Sequence, residues 1–404
     1  MNVLFMTIGK MDNIEEHTIY CDLLRYFRDM GHSIYTISPY EKRTKLQTTY
    51  EVKNGIHMLH VRTGNVTGMV NLIEKGFAQL SLEPIFIKAL KKYYSNIKFD
   101  LVMYSTPPIT FCNAIEYVKR RDNAKTYLLL KDIFPQNAVD IGLMKKSGLK
   151  GVLYKFFRRK EKKLYRLSDY IGCMSPANVD YVKKNNPEIG DCKLEVCPNC
   201  IEVIDKSVDK ETRINIREKY NIPINRKIFV YGGNLGKPQG IDFLIECLKS
   251  QEKNKSVYFL IVGDGTEYGK IEDFLKEGKY DNIKLMKRLP QEDYDTMVGA
   301  CDVGMIFLDH RFTIPNFPSR VLSYMQAKIP VLACTDSNTD IGKIIEKAGF
   351  GVWCESNDVK RFSSCLEKII KMQSIEDKEW DYLNSNYSTQ IGYEIIMNHF
   401  KNNS

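Results

Sequence analysis

Twice along this chain, short apolar and β-branched runs alternate with segments of helical periodicity. That repeat restricts the fold more than any other feature. In the first half, strands are expected at residues 3–7, 33–38, 56–61, 101–104, 126–130 and 170–174. Helices are expected between them, among them 15–30, closed by Gly31, and 109–120. In the second half, strands are expected at 227–231, 257–262, 283–286, 303–307 and 329–333, each followed by a helical segment. Near-continuous apolar strands are buried on both faces, and strand–helix alternation covers a parallel sheet with helices on each side. The pattern lapses near residues 198–210, before Glu211 opens a new helix. The expected architecture is therefore α/β, with two Rossmann-like, doubly wound domains over residues 1–200 and 201–386. Ligands of open parallel sheets bind at the carboxyl ends of the strands, so the expected site is a cleft between two facing domains.

The 404 residues suffice for two cores, since single cores stop growing near ~250–300 residues. No apolar run approaches the ~18–20 residues that span a bilayer. The strand-like start lacks the basic opening and apolar core of a signal peptide. A cytoplasmic chain is expected. Its eleven cysteines are scattered, and Cys21, Cys173, Cys247 and Cys334 stand in apolar surroundings, as reduced buried thiols do. Cys192, Cys197 and Cys200 cluster without the second pair or nearby His that a metal site needs, so no metal is expected there.

The formal charge of +9 fits a surface that meets anions. Ten Lys and Arg residues lie between Lys145 and Arg166, against a lone Glu161. Leu149, Val152, Leu153, Phe156, Leu164 and Leu167 recur among them near helical spacing. This reads either as a helix that packs one face and solvates the other, or as a helix lying on anionic lipid headgroups. No aromatic platform or binding motif points to nucleic acid.

Local chemistry concentrates at strand ends. Residues 316–331, NFPSRVLSYMQAKIPV, read as a turn on Pro315 and Pro318, a helix and a buried strand. Pro318, Ser319 and Arg320 would open that helix, with unpaired N–H groups and an outward basic side chain forming a diphosphate seat. Tyr231-Gly232-Gly233-Asn234 joins a strand to the helix starting near Gly240, and its glycines permit close backbone approach to a phosphate or sugar. In Gly263-Asp264-Gly265 the acid reads as a ligand or a helix N-cap, and in isolation as the cap. Lys131 and Asp132 end a first-half strand, beside Ser105-Thr106-Pro107-Pro108. They read either as groups facing a cleft or as a loop cap with a structural ion pair.

Taken in order, STPPITF, LLLKDIFPQ, SDYIGCMSPAN, CPNCIE, YGGNLGKPQGID, VGDG and PSRVLSYMQAKIPVLA resemble family 4 of the retaining glycosyltransferases. Within it they resemble the bacterial branch that builds capsule and O-antigen repeat units. The likeness covers nearly the whole chain, and the order of the motifs is specific where each alone is degenerate. It implies a GT-B fold, with the acceptor on the N-terminal domain and the nucleotide sugar on the C-terminal one. Residues 387–404 would carry a final helix, 389–400, crossing back to the first domain. By resemblance, Gly233 and Asn234 lie beside the donor diphosphate, Asp264 is the acid of the glycine-acid-glycine turn, and Arg288 borders the base. Ser319 and Arg320 begin the diphosphate helix, and Asp132, with Lys131, lies near the transferring sugar.

Two departures stand out. Where many relatives carry two glutamates spaced by seven residues, this chain has Pro315 and Ser323. Where they carry an arginine and a lysine in the glycine-rich loop, it has Asn234 and Gln239. Lys237 or Arg320 would then supply the missing positive charge. The resemblance implies retention of configuration without metal or other cofactor, and no Asp-x-Asp of the metal-holding kind is read in the chain. It implies a nucleotide-sugar donor, with a uridine diphosphate sugar the commonest choice. The acceptor is expected to be a polyprenyl-diphosphate-linked sugar at the inner face of the cytoplasmic membrane, docked through residues 145–166 and the apolar stretch 69–94. Two other readings share the fold: a nucleotide-sugar epimerase, and an inactive donor-binding subunit.

Overall fold

A computed structural model describes residues 1–9, 11–66, 72–190, 193–372 and 376–401. The chain forms two units, Met1–Glu202 with Thr389 onward, and Val203–Ser388. In the first unit the strands are β1 (Asn2–Met6), β2 (Ser33–Glu41), β3 (Thr49–Lys53), β4 (Ile56–Thr63), β5 (Leu101–Ser105), β6 (Lys125–Leu130), β7 (Tyr170–Cys173) and β8 (Leu194–Val196). They form one sheet in the order β3-β4-β2-β1-β5-β6-β7-β8. Its pairings are parallel except that of β3 with β4. In the second unit β9 (Lys227–Asn234), β10 (Val257–Asp264), β11 (Ile283–Met286), β12 (Val303–Phe307), β13 (Val331–Thr335) and β14 (Gly351–Glu355) lie in the order β11-β10-β9-β12-β13-β14. All of these pairings are parallel.

The apolar runs explain both sheets. Every residue of β5, β12 and β13 is buried, as strands covered on both faces must be. Phe229, Phe259 and Phe307 are buried in the second core, each contributing roughly 1.5–3 kcal/mol of burial free energy. The first core gathers Val3, Phe5, Phe27, Leu101, Met103 and Leu129.

Several boundaries differ from the sequence reading. The helix expected from residue 15 begins at Ile19, because the Thr18 side chain accepts from the Cys21 amide and caps it there. The helix expected at 109–120 is Cys112–Asp122. The strand expected from residue 329 begins at Val331. Lys328, at φ 54, first closes the preceding helix, and Pro330 has no N–H for a ladder. Strands β3, β8 and β14 escaped the reading. β3 is mostly exposed and alternating, and the Asn54-Gly55 turn with both φ positive was its sequence signal. The terminal helix Thr389–Met397 packs within the first unit: Tyr393 meets Phe27 at 4.8 Å between ring centroids and its hydroxyl bonds His32 Nε2 at 3.0 Å.

The apolar stretch at 69–94 does not present a uniform docking face. Residues 67–71 lie outside the described residues, but Leu82, Phe86, Leu90 and Tyr94 are buried, and Phe86 stacks on Phe111 at 5.1 Å. Among the described residues no helix is long and apolar enough to cross a membrane. Cys197 and Cys200 are buried free thiols; Cys192 lies outside the described residues.

Candidate functional site

The second unit carries a cleft of about 370 Å³ at the carboxyl ends of β9 and β10, lined by Gly232, Gly233, Asn234, Val262, Gly263, Asp264, Arg288, Leu289, Gln291, Tyr294, Arg320 and Ser323. β9 is the strand from which the order runs both ways, to β10 on one side and β12 on the other. That makes it the topological switch point, where open α/β sheets leave a crevice. Two glycines are needed for the cleft to exist. Gly233 adopts φ 119, a backbone conformation that side chains disfavour. A Cβ on Gly263 would stand 2.0 Å from the Gly233 carbonyl oxygen, so the ends of β9 and β10 approach as only glycine allows.

Arg320 organises the floor. Its guanidinium carbon lies 4.3 Å from the centroid of the Tyr231 ring, and a Cβ on Gly233 would come within 3.5 Å of its Nη2. Its Nη1 is buried without a hydrogen-bond partner. A buried donor left unbonded costs about 1–3 kcal/mol. Two tyrosines brace this floor. The Tyr324 hydroxyl donates to the Met305 carbonyl at 2.9 Å, and Tyr294 fills the space beside Gly232, where a Cβ would meet its hydroxyl oxygen at 1.7 Å.

The diphosphate seat is therefore built differently from the sequence expectation. The helix Arg320–Gln326 is only seven residues long. Its Val321 and Leu322 amides already bond the Pro318 and Ser319 carbonyls at 3.2 and 3.0 Å. Arg320 points inward under the glycine-rich turn rather than outward, while Ser319 is exposed and absent from the cleft lining, where Ser323 appears. Lys237 is likewise exposed, in a short turn Lys237–Gln239, and outside that lining. Gln239 Oε1 accepts from Asn234 Nδ2 at 2.9 Å and from the Gly236 amide at 3.2 Å. The two residues that replace the relatives' cations thus close the loop on itself.

Asp264 and Arg288 are exposed residues of the cleft. Asp264 ends β10 and accepts from the Gly265 amide at 2.8 Å. It is not a helix N-cap, because the next helix begins at Tyr268, with Glu267 at the N-cap position. Sequence reading missed Tyr294 and Gln291 altogether. It also passed over Asp293-Tyr294-Asp295, an Asp-x-Asp on the helix Gln291–Gly299. Residues two apart on a helix point to opposite sides. Asp293 meets Lys219 at 3.2 Å and Asp295 meets Lys206 at 2.7 Å, so the two carboxylates are engaged separately.

In the first unit, Lys131 and Asp132 follow β6. Thr106 Oγ1 accepts from both of their amides at 3.1 Å. Asp132 Oδ1 accepts from Asn137 Nδ2 at 2.6 Å. Burial pushes the Asp132 carboxyl up to about 6, against the opposing hydrogen bond from Asn137. Lys131 does not pair with Asp132: its Nζ reaches the Pro198 carbonyl at 3.4 Å, and burial lowers its pKa. The ion pair allowed by the sequence is not formed.

Among the described residues one group has metal-ligand spacing, His17, Asp22 and Glu202. The Arg25 guanidinium occupies its centre, donating to Asp22 at 2.7 Å and Glu202 at 2.9 Å.

The chain is similar to known proteins in sequence and in fold. Residues 212–385 match the family of glycosyl transferases group 1. The probable glycosyltransferase WbjE of Pseudomonas aeruginosa is 24% identical over 332 residues, spanning 80% of this chain and 79% of that protein. Anabaena HepE, solved in complex with UDP, superposes with a TM-score of 0.67 at 15% identity, over 98% of this chain and 99% of that one. WaaG, a glycosyltransferase involved in lipopolysaccharide biosynthesis, superposes at 0.64 with 12% identity over 98% of each chain.

Proposed function

The chain carries a group 1 glycosyltransferase domain within a two-domain GT-B fold, and from that premise we propose that it is a retaining, metal-independent hexosyl- or N-acetylhexosaminyltransferase. Its donor is a nucleotide diphosphate sugar, UDP-linked. Its acceptor is a polyprenyl-diphosphate-linked sugar at the inner face of the cytoplasmic membrane, in capsule, O-antigen or exopolysaccharide synthesis. The observation that carries this reading is the Arg320 guanidinium, which lines the cleft beneath the glycine-rich turn. The UDP complex of the structurally similar HepE and the lipopolysaccharide role of WaaG support the donor and pathway class.

The chemistry follows from charge. Departure of a nucleoside diphosphate places new negative charge on the bridging oxygen. A preorganised guanidinium in a desolvated floor stabilises that charge as it develops. In this reading Arg320 holds the diphosphate, Gly233 and Asn234 bring backbone close to it, and Asp264 lies toward the sugar. Arg288 borders the base. The cleft has cationic Arg288 and Arg320 against one carboxylate, Asp264, a balance that suits a dianion without a bridging metal. Asp132, held by Asn137 and Thr106, orients the reacting sugar.

A thermal-shift screen with uridine, guanosine and thymidine diphosphate sugars, followed by transfer to a lipid-linked acceptor, tests the proposal. Stabilisation by a uridine diphosphate sugar and acceptor-dependent sugar transfer are expected. Epimerised donor without acceptor would assign the chain to isomerisation instead. Donor binding with no transfer to any acceptor would make it a binding subunit.

A further inference from the structure

The helix Gly148–Leu167 packs by a different face from the one its apolar residues suggest. Gly151, Glu161, Leu164 and Tyr165 are buried, and the Tyr165 hydroxyl donates to Glu161 Oε1 at 2.9 Å. The apolar residues of its first half point outward instead. Val152 is 67% exposed, Leu153 49% and Phe156 38%, with Leu143 just ahead of the helix at 59%. Leaving such large apolar side chains in water is unfavourable, and exposed apolar patches mark interaction surfaces.

Cations continue the same stripe. At 100° per residue, Val152, Lys155, Phe156, Arg159 and Arg166 fall within an arc of about 100°. Three cations of the helix are neutralised: Arg158 by Glu161, Lys162 by Glu188 and, within the same arc, Lys163 by Glu116. Lys145, Lys155, Arg159 and Arg166 are exposed, and among the described residues none of them forms an ion pair. The outward face is thus apolar at its centre and positively charged around it.

We infer that this face is a bilayer-docking surface for anionic phospholipid. Leu143, Val152, Leu153 and Phe156 enter the boundary between headgroups and acyl chains. Lys145, Lys155, Arg159 and Arg166 reach the lipid phosphates, their aliphatic stems lying along the apolar residues. A second copy of the chain is disfavoured because a two-fold contact would bring this uncompensated positive face against itself. Nucleic acid would engage the cations but leave the aliphatic side chains in water. The inference deepens the proposed membrane-face reaction and rests on it for its biological setting, but the surface binds or fails independently of sugar transfer.

Co-sedimentation with vesicles of phosphatidylcholine alone, and of phosphatidylcholine mixed with phosphatidylglycerol, tests it on the full chain. The wild type is expected to partition at least about tenfold more strongly onto the anionic vesicles, and less so as salt rises. Leu153→Glu/Phe156→Glu and Lys155→Glu/Arg159→Glu should each weaken that partition by about tenfold or more. Both double variants should keep the wild-type far-UV circular dichroism and the melting temperature of the first unit, which shows that they fold. Equal binding to both vesicle types, no binding to either, or wild-type binding by both variants overturns the inference. So does concentration-dependent dimerisation that the variants abolish without any vesicle binding. Absence of sugar transfer with vesicle binding intact would sink the proposed reaction and leave this surface standing.

Discussion

The guanidinium carbon of Arg320 lies 4.3 Å from the centroid of the Tyr231 ring. The ring belongs to β9 and the arginine to the short helix that precedes β13, so the contact ties two distant segments together beneath the glycine-rich turn. A cation over an aromatic face is stabilised by about 0.5–2 kcal/mol.

Replacing Arg320 by Ala should weaken UDP binding by about 10–100-fold, the range expected for losing a hydrogen bond to a charged group. Turnover should fall further, since the same group meets the charge that develops on the leaving diphosphate. Calorimetric titration with UDP and steady-state transfer assays separate the two effects. Unaltered affinity and turnover would rule Arg320 out.

Gly263→Ala tests the close approach of β9 and β10. The added methyl would stand 2.0 Å from the Gly233 carbonyl oxygen, and backbone on both sides leaves little room to yield. A loss of about 1–3 kcal/mol is expected in urea unfolding, with UDP binding lost under native conditions. A variant that binds UDP normally would show that the strand ends need not be this close.

Asp132 should make stability fall as pH rises. Burial holds its carboxyl at about 6, above the ordinary 3.8. Between those values the folded chain keeps a proton that the unfolded chain has lost. The penalty is absent below 3.8 and fully present above about 6. Asp132→Asn removes it while an amide oxygen can still accept from Asn137. Stability of the variant relative to wild type should therefore grow across that window, by up to about 3 kcal/mol. Urea unfolding at a series of pH values checks the sign, and a difference independent of pH would contradict it. Transfer activity of the same variant should drop, because a neutral amide orients the sugar less well.

Arg25→Ala should destabilise the first unit by about 3–5 kcal/mol. Asp22 is only 3% exposed, and burial already raises its carboxyl pKa, so removing the guanidinium leaves a buried carboxylate without its cation. Glu202 would lose the same partner. Thermal unfolding with the second unit's UDP response as an internal control measures this, and an unchanged melting temperature would show that the cluster relaxes without cost.

Chelation with EDTA should leave transfer unchanged. The candidate cleft pairs one carboxylate with two arginines, and Asp293 and Asp295 are held by separate lysines. Activity abolished by EDTA and restored by a divalent cation would overturn the metal-independent reading.

The fold was legible because burial on both faces leaves a signature in composition. Val102, Met103 and Tyr104 in β5, or Leu332 and Ala333 in β13, stand in runs with few alternatives to a covered parallel strand. Glycines at the ends of β9 and β10 marked the candidate cleft for a related reason, since close backbone approach excludes side chains. The exposed hairpin strand β3 left a weaker signature, carried by Asn54-Gly55 rather than by apolar periodicity.

Direction and partnership of side chains are not written locally. The same sequence that identified Arg320 as a candidate placed it outward on a helix end, yet tertiary packing turned it in over Tyr231. Asp293 and Asp295 look like a paired motif in the chain and part company on a helix. Lys131 and Asp132 are neighbours that do not pair. Val152 and Phe156 look like core and face outward. The sequence by itself determined which segments become buried strands and where the backbone must come close, because burial and steric exclusion act on residues next to one another. Which charge meets which partner depends on groups brought together from distant segments, and only the tertiary structure decided that.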